Sequence, residues 1–309
     1  MGGTRLPPVV SFPESLRSGA PLLLDAAMGT ELQSRGIDTT LPLWSARALV
    51  GSPETVEAIH REEVRAGADV LTANTFRTHR RTLEKEGLGE RAGELTALAV
   101  SLARGAARGS GREVFVAGSL SPLEDCYRPD LVPDDAAVDR EHREQAESLA
   151  AAGVDLLLLE THNTVRELAA AARAAKATGL PFVASIVTDG TGRLLSGEPI
   201  ESAVRALDVL EPDALSINCV PARRLAFDLS RLSAAAPESS LGAYGNLGVP
   251  EDESGWTFTD SLTPEAYADC AKRWLAAGAR IVGGCCGTTP AHTAALRRVI
   301  GQETSIASP

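Results

Sequence analysis

Apolar residues gather into eight short, nearly unbroken runs, and between most of them lies a polar stretch with helical spacing. The runs are 21–28 (PLLLDAAM), 68–74 (ADVLTAN), 114–120 (VFVAGSL), 154–161 (VDLLLLET), 181–188 (PFVASIVT), 214–220 (ALSINCV), 241–246 (LGAYGN) and 279–285 (ARIVGGC). Strict alternation would mark strands wet on one face, whereas continuous apolar runs mark the strands of a parallel sheet covered on its outer face. The intervening pattern predicts helices over 54–67, 90–108, 135–152, 165–178, 199–209, 222–235 and 264–277, with a last helix opening at Pro290. Cap residues support these ends: Ser52-Pro53-Glu54 opens one helix, Thr164 caps another, Gly179 stops it, and Thr289-Pro290 suits an N-cap followed by the first helical position. Three junctions echo one another, Arg65-Ala-Gly-Ala-Asp-Val70, Ala151-Ala-Gly-Val-Asp-Leu156 and Ala276-Ala-Gly-Ala-Arg-Ile281, each ending a helix on glycine and starting a strand at once. Eight such units predict an α/β fold, a single-domain (β/α)8 TIM barrel over 20–303, with 1–19 and 304–309 as tails; a doubly wound open sheet is the alternative. No GxGxxG opens a helix after a strand and no GxxxxGK[ST] is present, which lowers the nucleotide-binding alternative.

Composition changes this picture little. At 309 residues, 44% apolar and 23% charged, the chain has material for a large core. The net charge of −11 argues against sequence-independent binding to nucleic acid, which requires a cationic surface. No stretch of eighteen consecutive apolar residues and no basic, apolar leader is present, so the expectation is a cytoplasmic protein with no membrane partner. Oligomeric state is left open. Five cysteines, two of them adjacent, make a poor disulfide framework and a reasonable metal or thiol site.

The chemistry concentrates at strand ends. Ile281-Val282-Gly283-Gly284-Cys285-Cys286-Gly287-Thr288-Thr289-Pro290 reads as strand, site, cap and helix. Neighbouring cysteines rarely bond to each other, and their joint use is to bind a soft metal; a third thiol is offered by Cys219, which also closes an apolar run. Barrel sites are built on the C-terminal strand ends, where Asp25, Glu160 and Asn246 also fall. Three thiolates around Zn2+ leave one tetrahedral position open and make a poor hydroxide generator but a good host for an incoming thiol. A zinc hydrolase on the same barrel would need a histidine cluster, and none is present. His60, His79, His142 and His292 are expected at the surface, His162 at the mouth of the site, and Cys126 and Cys270 outside it. The 247–262 loop, with Trp256 and Phe258, is expected to cover the site.

These residues also carry a resemblance. Gly283-Gly284-Cys285-Cys286-Gly287-Thr288-Thr289-Pro290, Asn218-Cys219, the opening Leu24-Asp25-Ala26-Ala27-Met28-Gly29-Thr30-Glu31-Leu32, Leu43-Trp44 and Ala66-Gly67-Ala68-Asp69 with Thr72-Ala73-Asn74-Thr75-Phe76 together resemble the homocysteine S-methyltransferase family over residues 20 to 300. The resemblance implies a zinc-dependent barrel that methylates homocysteine to methionine, with the zinc ligands on Cys219, Cys285 and Cys286 and no catalytic residue beyond the metal site. It places the carboxylates that hold the acceptor's amino group on Asp25 and Glu160. Main-chain groups near Gly29 and Thr30, or near Ser119 and Ser121, are expected to take the acceptor carboxylate. Thr75 and Asn246 are further substrate-side candidates, and Trp44 with Trp256 would line a donor pocket where cation–π contact favours a sulfonium. The compact length resembles bacterial members that use S-methylmethionine or S-adenosylmethionine. Two strand exits depart from the family's common forms: Glu160-Thr161-His162-Asn163-Thr164 and Tyr244-Gly245-Asn246.

Overall fold

The structure, a computed structural model, describes residues 10–251, 255–257 and 262–306. Eight parallel strands form one sheet: β1 (Leu22–Leu23), β2 (Val70–Ala73), β3 (Phe115–Leu120), β4 (Leu156–His162), β5 (Phe182–Ile186), β6 (Ala214–Pro221), β7 (Leu241–Asn246) and β10 (Ala279–Gly284), ordered β1-β10-β7-β6-β5-β4-β3-β2. The two ends meet through a parallel bridge between Leu24 and Val70, with Asp69 N–H donating to Leu23 O at 2.7 Å and Asp25 N–H to Val70 O at 3.1 Å. The sheet thus closes into a barrel, and the doubly wound alternative falls away. The remaining pair, β8 (Val249–Glu251) and β9 (Gly255–Thr257), is an antiparallel hairpin in the loop after β7.

Burial follows the strand period. One set of side chains, including Leu71, Val116, Leu157, Leu159, Leu215 and Val282, faces outward against the helices. The other set, including Leu24, Val70, Ala117, Leu156, Leu158, Val183, Tyr244 and Ile281, fills the barrel. The segment expected as an N-terminal tail, 1–19, adds to this inner core: Phe12–Arg17 is a helix whose Phe12 and Leu16 are buried with it, Phe12 meeting Phe115 edge-on with ring centroids 5.8 Å apart. At the other terminus the helix from Pro290 runs to Ile306, past the expected boundary at 303.

The predicted helices appear as Pro53–Ala66, Ala92–Arg108, Asp135–Ala152, Val165–Thr178, Ile200–Leu207, Leu225–Ala235, Pro264–Ala276 and Pro290–Ile306. The glycines of the three echoed junctions, Gly67, Gly153 and Gly278, all have φ near +100° (108°, 83° and 97°), the left-handed turn that stops a helix and turns the chain into the next strand. Ser52 departs from the expectation, since its side chain makes no cap hydrogen bond. The first apolar run also departs: its far end, Met28, starts a helix, Met28–Ser34, so Gly29 and Thr30 are helical.

The histidines expected at the surface are buried. His60, His79, His142 and His292 are each less than 7% exposed, because the helices that carry them turn these positions toward the sheet or toward one another. His142 Nε2 lies 3.2 Å from Glu167 Oε1, His79 caps the helix Arg80–Glu84, and His292 Nε2 reaches Leu262 O at 3.2 Å. Burial alone depresses His60 to about 4, so it is neutral in the fold.

Candidate metal centre

Two irregularities in the sheet build the site. β6 slips register against β7 between Asn218 and Pro221, and Cys219 takes φ of 54° there. β4 slips against β5 between Leu159 and His162, and Thr161 takes φ of 65°. A bulge of this kind presents two successive residues to the same face. Thus Glu160 and Thr161 both line the cavity, and Cys219 faces inward directly after Asn218. Of the four non-glycine residues with positive φ among the described residues, Trp44, Thr161 and Cys219 line this cavity. Such backbone costs on the order of 1–3 kcal/mol each and persists where the surroundings enforce it.

The β4 bulge also corrects the position of His162. Simple alternation from Leu156, Leu158 and Glu160 would turn it inward; the slipped register turns it outward, fully buried, with Nε2 3.2 Å from Leu120 O and its ring 5.7 Å from that of His142. It does not line the cavity.

The three sulfurs of Cys219, Cys285 and Cys286 lie within 4.8 Å of one another, with Cys219 and Cys286 Sγ atoms 3.8 Å apart. Tetrahedral ligation at a Zn–S length of about 2.3 Å separates two sulfurs by about 3.8 Å. The donor set therefore fits zinc in both chemistry and spacing. Gly287, at φ of 87°, makes the approach possible, because a Cβ there would collide with Leu247. Thr30 Oγ1 accepts the Gly287 N–H at 2.9 Å and so ties the helix Met28–Ser34 to the cysteine turn.

Second partners orient the sulfurs. Tyr127 O–H donates to Cys219 Sγ at 3.0 Å, and Asn246 Nδ2 donates to Cys219 O at 2.9 Å and approaches its sulfur at 3.9 Å. Asn218 Oδ1 accepts from Thr161 N–H at 2.9 Å and from the Ser185 hydroxyl at 2.8 Å, fixing both bulges to each other. Hydrogen bonds from Cys285, Cys286 and Tyr127 hold Cys219 well below the usual thiol range. Cys285 and Cys286 shift upward, since each shares its proton with the Cys219 sulfur.

A cavity of about 330 Å³ opens above the sulfurs. Asp25 and Glu160 line it, and among the described residues neither forms an ion pair. Asp25 accepts the Thr72 N–H at 2.8 Å, and Glu160 accepts the Ser119 hydroxyl. Burial pushes Asp25 well above the usual carboxylate range and Glu160 up to about 7. Neither carboxylate caps a helix. Gly29, Trp44, Ser119 and Trp256 also line the cavity, the Trp44 indole packing against Gly29 where a Cβ would overlap it. Trp256, on β9, bonds Leu247 O at 3.0 Å, so part of the 247–262 loop does cover the site, while Phe258 lies outside the described residues. Thr30, Thr75 and Asn246 stand behind the wall rather than in it; the Thr75 hydroxyl bonds Ser119 O at 2.9 Å. Cys270 is buried away from the site, but Cys126, expected outside it, lines the cavity. Tyr127 and Arg77 line it too; Arg77 directly follows the Thr72–Phe76 motif, and no motif marks Tyr127.

The family model for homocysteine S-methyltransferase matches residues 22–300. The homocysteine S-methyltransferase of Escherichia coli is 34% identical over 89% of this chain and 94% of its own length. Methionine synthase of Mycobacterium tuberculosis is 32% identical over 92% of this chain, which spans only 25% of that longer protein, and the selenocysteine methyltransferase of Astragalus bisulcatus is 27% identical over 89% of this chain. Among solved structures, the metallated form of the Escherichia coli homocysteine methyltransferase MmuM superposes with a TM-score of 0.80 at 32% identity, covering 92% of this chain and 99% of that one. With the barrel, the three converging thiols and this extent of match in hand, the chain belongs to the homocysteine S-methyltransferase family.

Proposed function

We propose that the protein transfers a methyl group from a sulfonium donor, S-methylmethionine or S-adenosylmethionine, to the thiol of homocysteine, giving methionine. The observation that carries the reading is the convergence of Cys219, Cys285 and Cys286, sulfurs within 4.8 Å of one another, at the floor of a cavity with two carboxylates that lack a cation. Cys219, Cys285 and Cys286 would hold Zn2+, which when bound keeps the acceptor thiol deprotonated and available as a nucleophile at neutral pH.

The chain's own residues supply the rest. Asp25 and Glu160 are suited to the acceptor ammonium, because an opposite charge beside a buried carboxylate favours its ionised form. The backbone N–H of Gly29, at the cavity wall in the first turn of Met28–Ser34, has no acceptor within the helix and suits the acceptor carboxylate. Trp44 and Trp256 present aromatic walls to the positive sulfonium. As the thiolate sulfur bonds to the methyl carbon, the methyl–sulfonium bond breaks and its electron pair stays on a neutral thioether. No general acid is required, so the rate enhancement comes from alignment inside the cavity.

The test is a matrix of zinc-loaded protein, homocysteine and each donor, S-methylmethionine, S-adenosylmethionine and betaine, scored for methionine by mass spectrometry. Methionine from a sulfonium donor supports the reading, and methionine from betaine alone contradicts the donor assignment. No methionine from any donor contradicts the activity.

A further inference from the structure

Of the charged residues at the cavity wall that the proposed chemistry does not use, one is a buried cation. Arg77, directly after Phe76 in the loop that leaves β2, lines the cavity and is only 8% exposed. Among the described residues it forms no ion pair with a carboxylate. Its guanidinium donates once, from Nη1 to Glu124 O at 3.0 Å, and lies 5.3 Å from the Phe76 ring centroid. Its Nε is buried without a partner. A guanidinium offers five donors in a rigid fork shaped for a carboxylate, and a buried cation left unpaired is costly. The other cation at the cavity wall, Lys85, is already paired to Glu124 at 2.5 Å and is 43% exposed. Arg77 is thus the cation set aside for a ligand.

We infer that Arg77 forms a carboxylate-binding subsite for the second ligand of the cavity, the methyl donor, which is therefore a cation that also carries a carboxylate. The inference rests on the proposed methyl transfer and deepens it. β2, which leads to Arg77, and β6, which carries Cys219, lie four strands apart in a ring of eight, and the Arg77 guanidinium is held at the wall by Glu124 O. Asp25 and Glu160, two anions without a cation, suit the ammonium of an amino acid; Arg77, a cation without an anion, suits the carboxylate of another.

The experiment compares S-methylmethionine with its decarboxylated analogue, dimethyl(3-aminopropyl)sulfonium, on zinc-loaded wild type, Arg77→Gln and Arg77→Lys, with homocysteine binding followed separately by calorimetry. Wild type is expected to favour the carboxylate-bearing donor by at least about tenfold in kcat/KM, the scale of one charge-assisted pair. Arg77→Gln is expected to lose that preference through donor KM, Arg77→Lys to keep part of it, and homocysteine affinity to stay within about twofold in both. The wild-type comparison needs no mutant to fold. Equal use of both donors by wild type overturns the subsite, as does a variant that weakens both donors equally or that weakens homocysteine instead. If zinc-loaded wild type binds no homocysteine, the methyl-transfer reading falls and takes the subsite with it; if it binds homocysteine and ignores the donor's carboxylate, only the subsite falls.

Discussion

The sulfur of Cys219 is the residue on which the site turns, because a bulge and a left-handed backbone are what bring it to the other two thiols. Replacing Cys219 or Cys285 by serine should cut zinc affinity by more than the roughly 10–100-fold that outer partners command, read as zinc content after dialysis against a chelator. Full zinc retention in both variants would remove the ligand set. These three cysteines were legible in the sequence because each sits at the end of an apolar run beside a glycine or proline turn signal. Tyr127 and Arg77 were not. Both lie in loops whose path is fixed only by tertiary packing, and one aromatic or basic residue in a loop carries no periodic signal. The buried histidines were missed for a related reason: the polar–apolar pattern assigns histidine outward, while His142 and Glu167 satisfy one another inside.

A second residue-scale prediction concerns Glu63, on the helix Pro53–Ala66, nearly buried and accepting the Thr293 hydroxyl at 2.7 Å. Burial raises its pKa from 4.5 to about 7. For a group whose folded pKa is raised, the stabilising contribution is full below 4.5 and is lost as pH climbs through 7. The shift corresponds to about 3 kcal/mol. Glu63→Gln should therefore gain stability relative to wild type by about that amount between pH 4.5 and pH 8, measured by urea unfolding at the two pH values. A constant difference between the two proteins would contradict the assignment.

At the scale of elements, the helix stops matter more than the helix interiors. Gly153 adopts φ of 83° with open space where a Cβ would lie, so alanine there is opposed by backbone strain and by nothing else. Gly153→Ala should cost about 1–2 kcal/mol, seen as a lowered Tm with zinc binding intact. Glycine after an apolar-periodic stretch and before a run of Val, Leu and Ile gave helix and strand ends to within about two residues at most junctions. The strand bulges in β4 and β6 gave no such signal, since a one-residue slip leaves composition unchanged and reverses only the face each side chain takes. That is why Glu160 lines the cavity while His162, expected at its mouth, does not.

For the whole molecule, the barrel separates stability from chemistry. Its lower end is closed by Phe12 and Leu16, packed with Phe115 into the inner core, and its upper end carries the thiols. Phe12→Ala should destabilise the fold by about 3–5 kcal/mol while leaving zinc affinity unchanged. An equal loss of zinc affinity in the folded variant would show that the two ends are coupled. The eightfold strand–helix count foretold the barrel, whereas the N-terminal plug was hidden because a short Pro-punctuated segment has too little periodicity to reveal what it packs against. Among the described residues no helix is long and apolar enough to cross a membrane.

The proposed transfer requires that the three gathered sulfurs leave one coordination position for the acceptor's own sulfur. Zinc K-edge X-ray absorption on the loaded protein, recorded before and after homocysteine is added, reads this directly. The expected change is from three sulfurs and one light atom to four sulfurs at about 2.3 Å. A first shell that homocysteine leaves unchanged would contradict it.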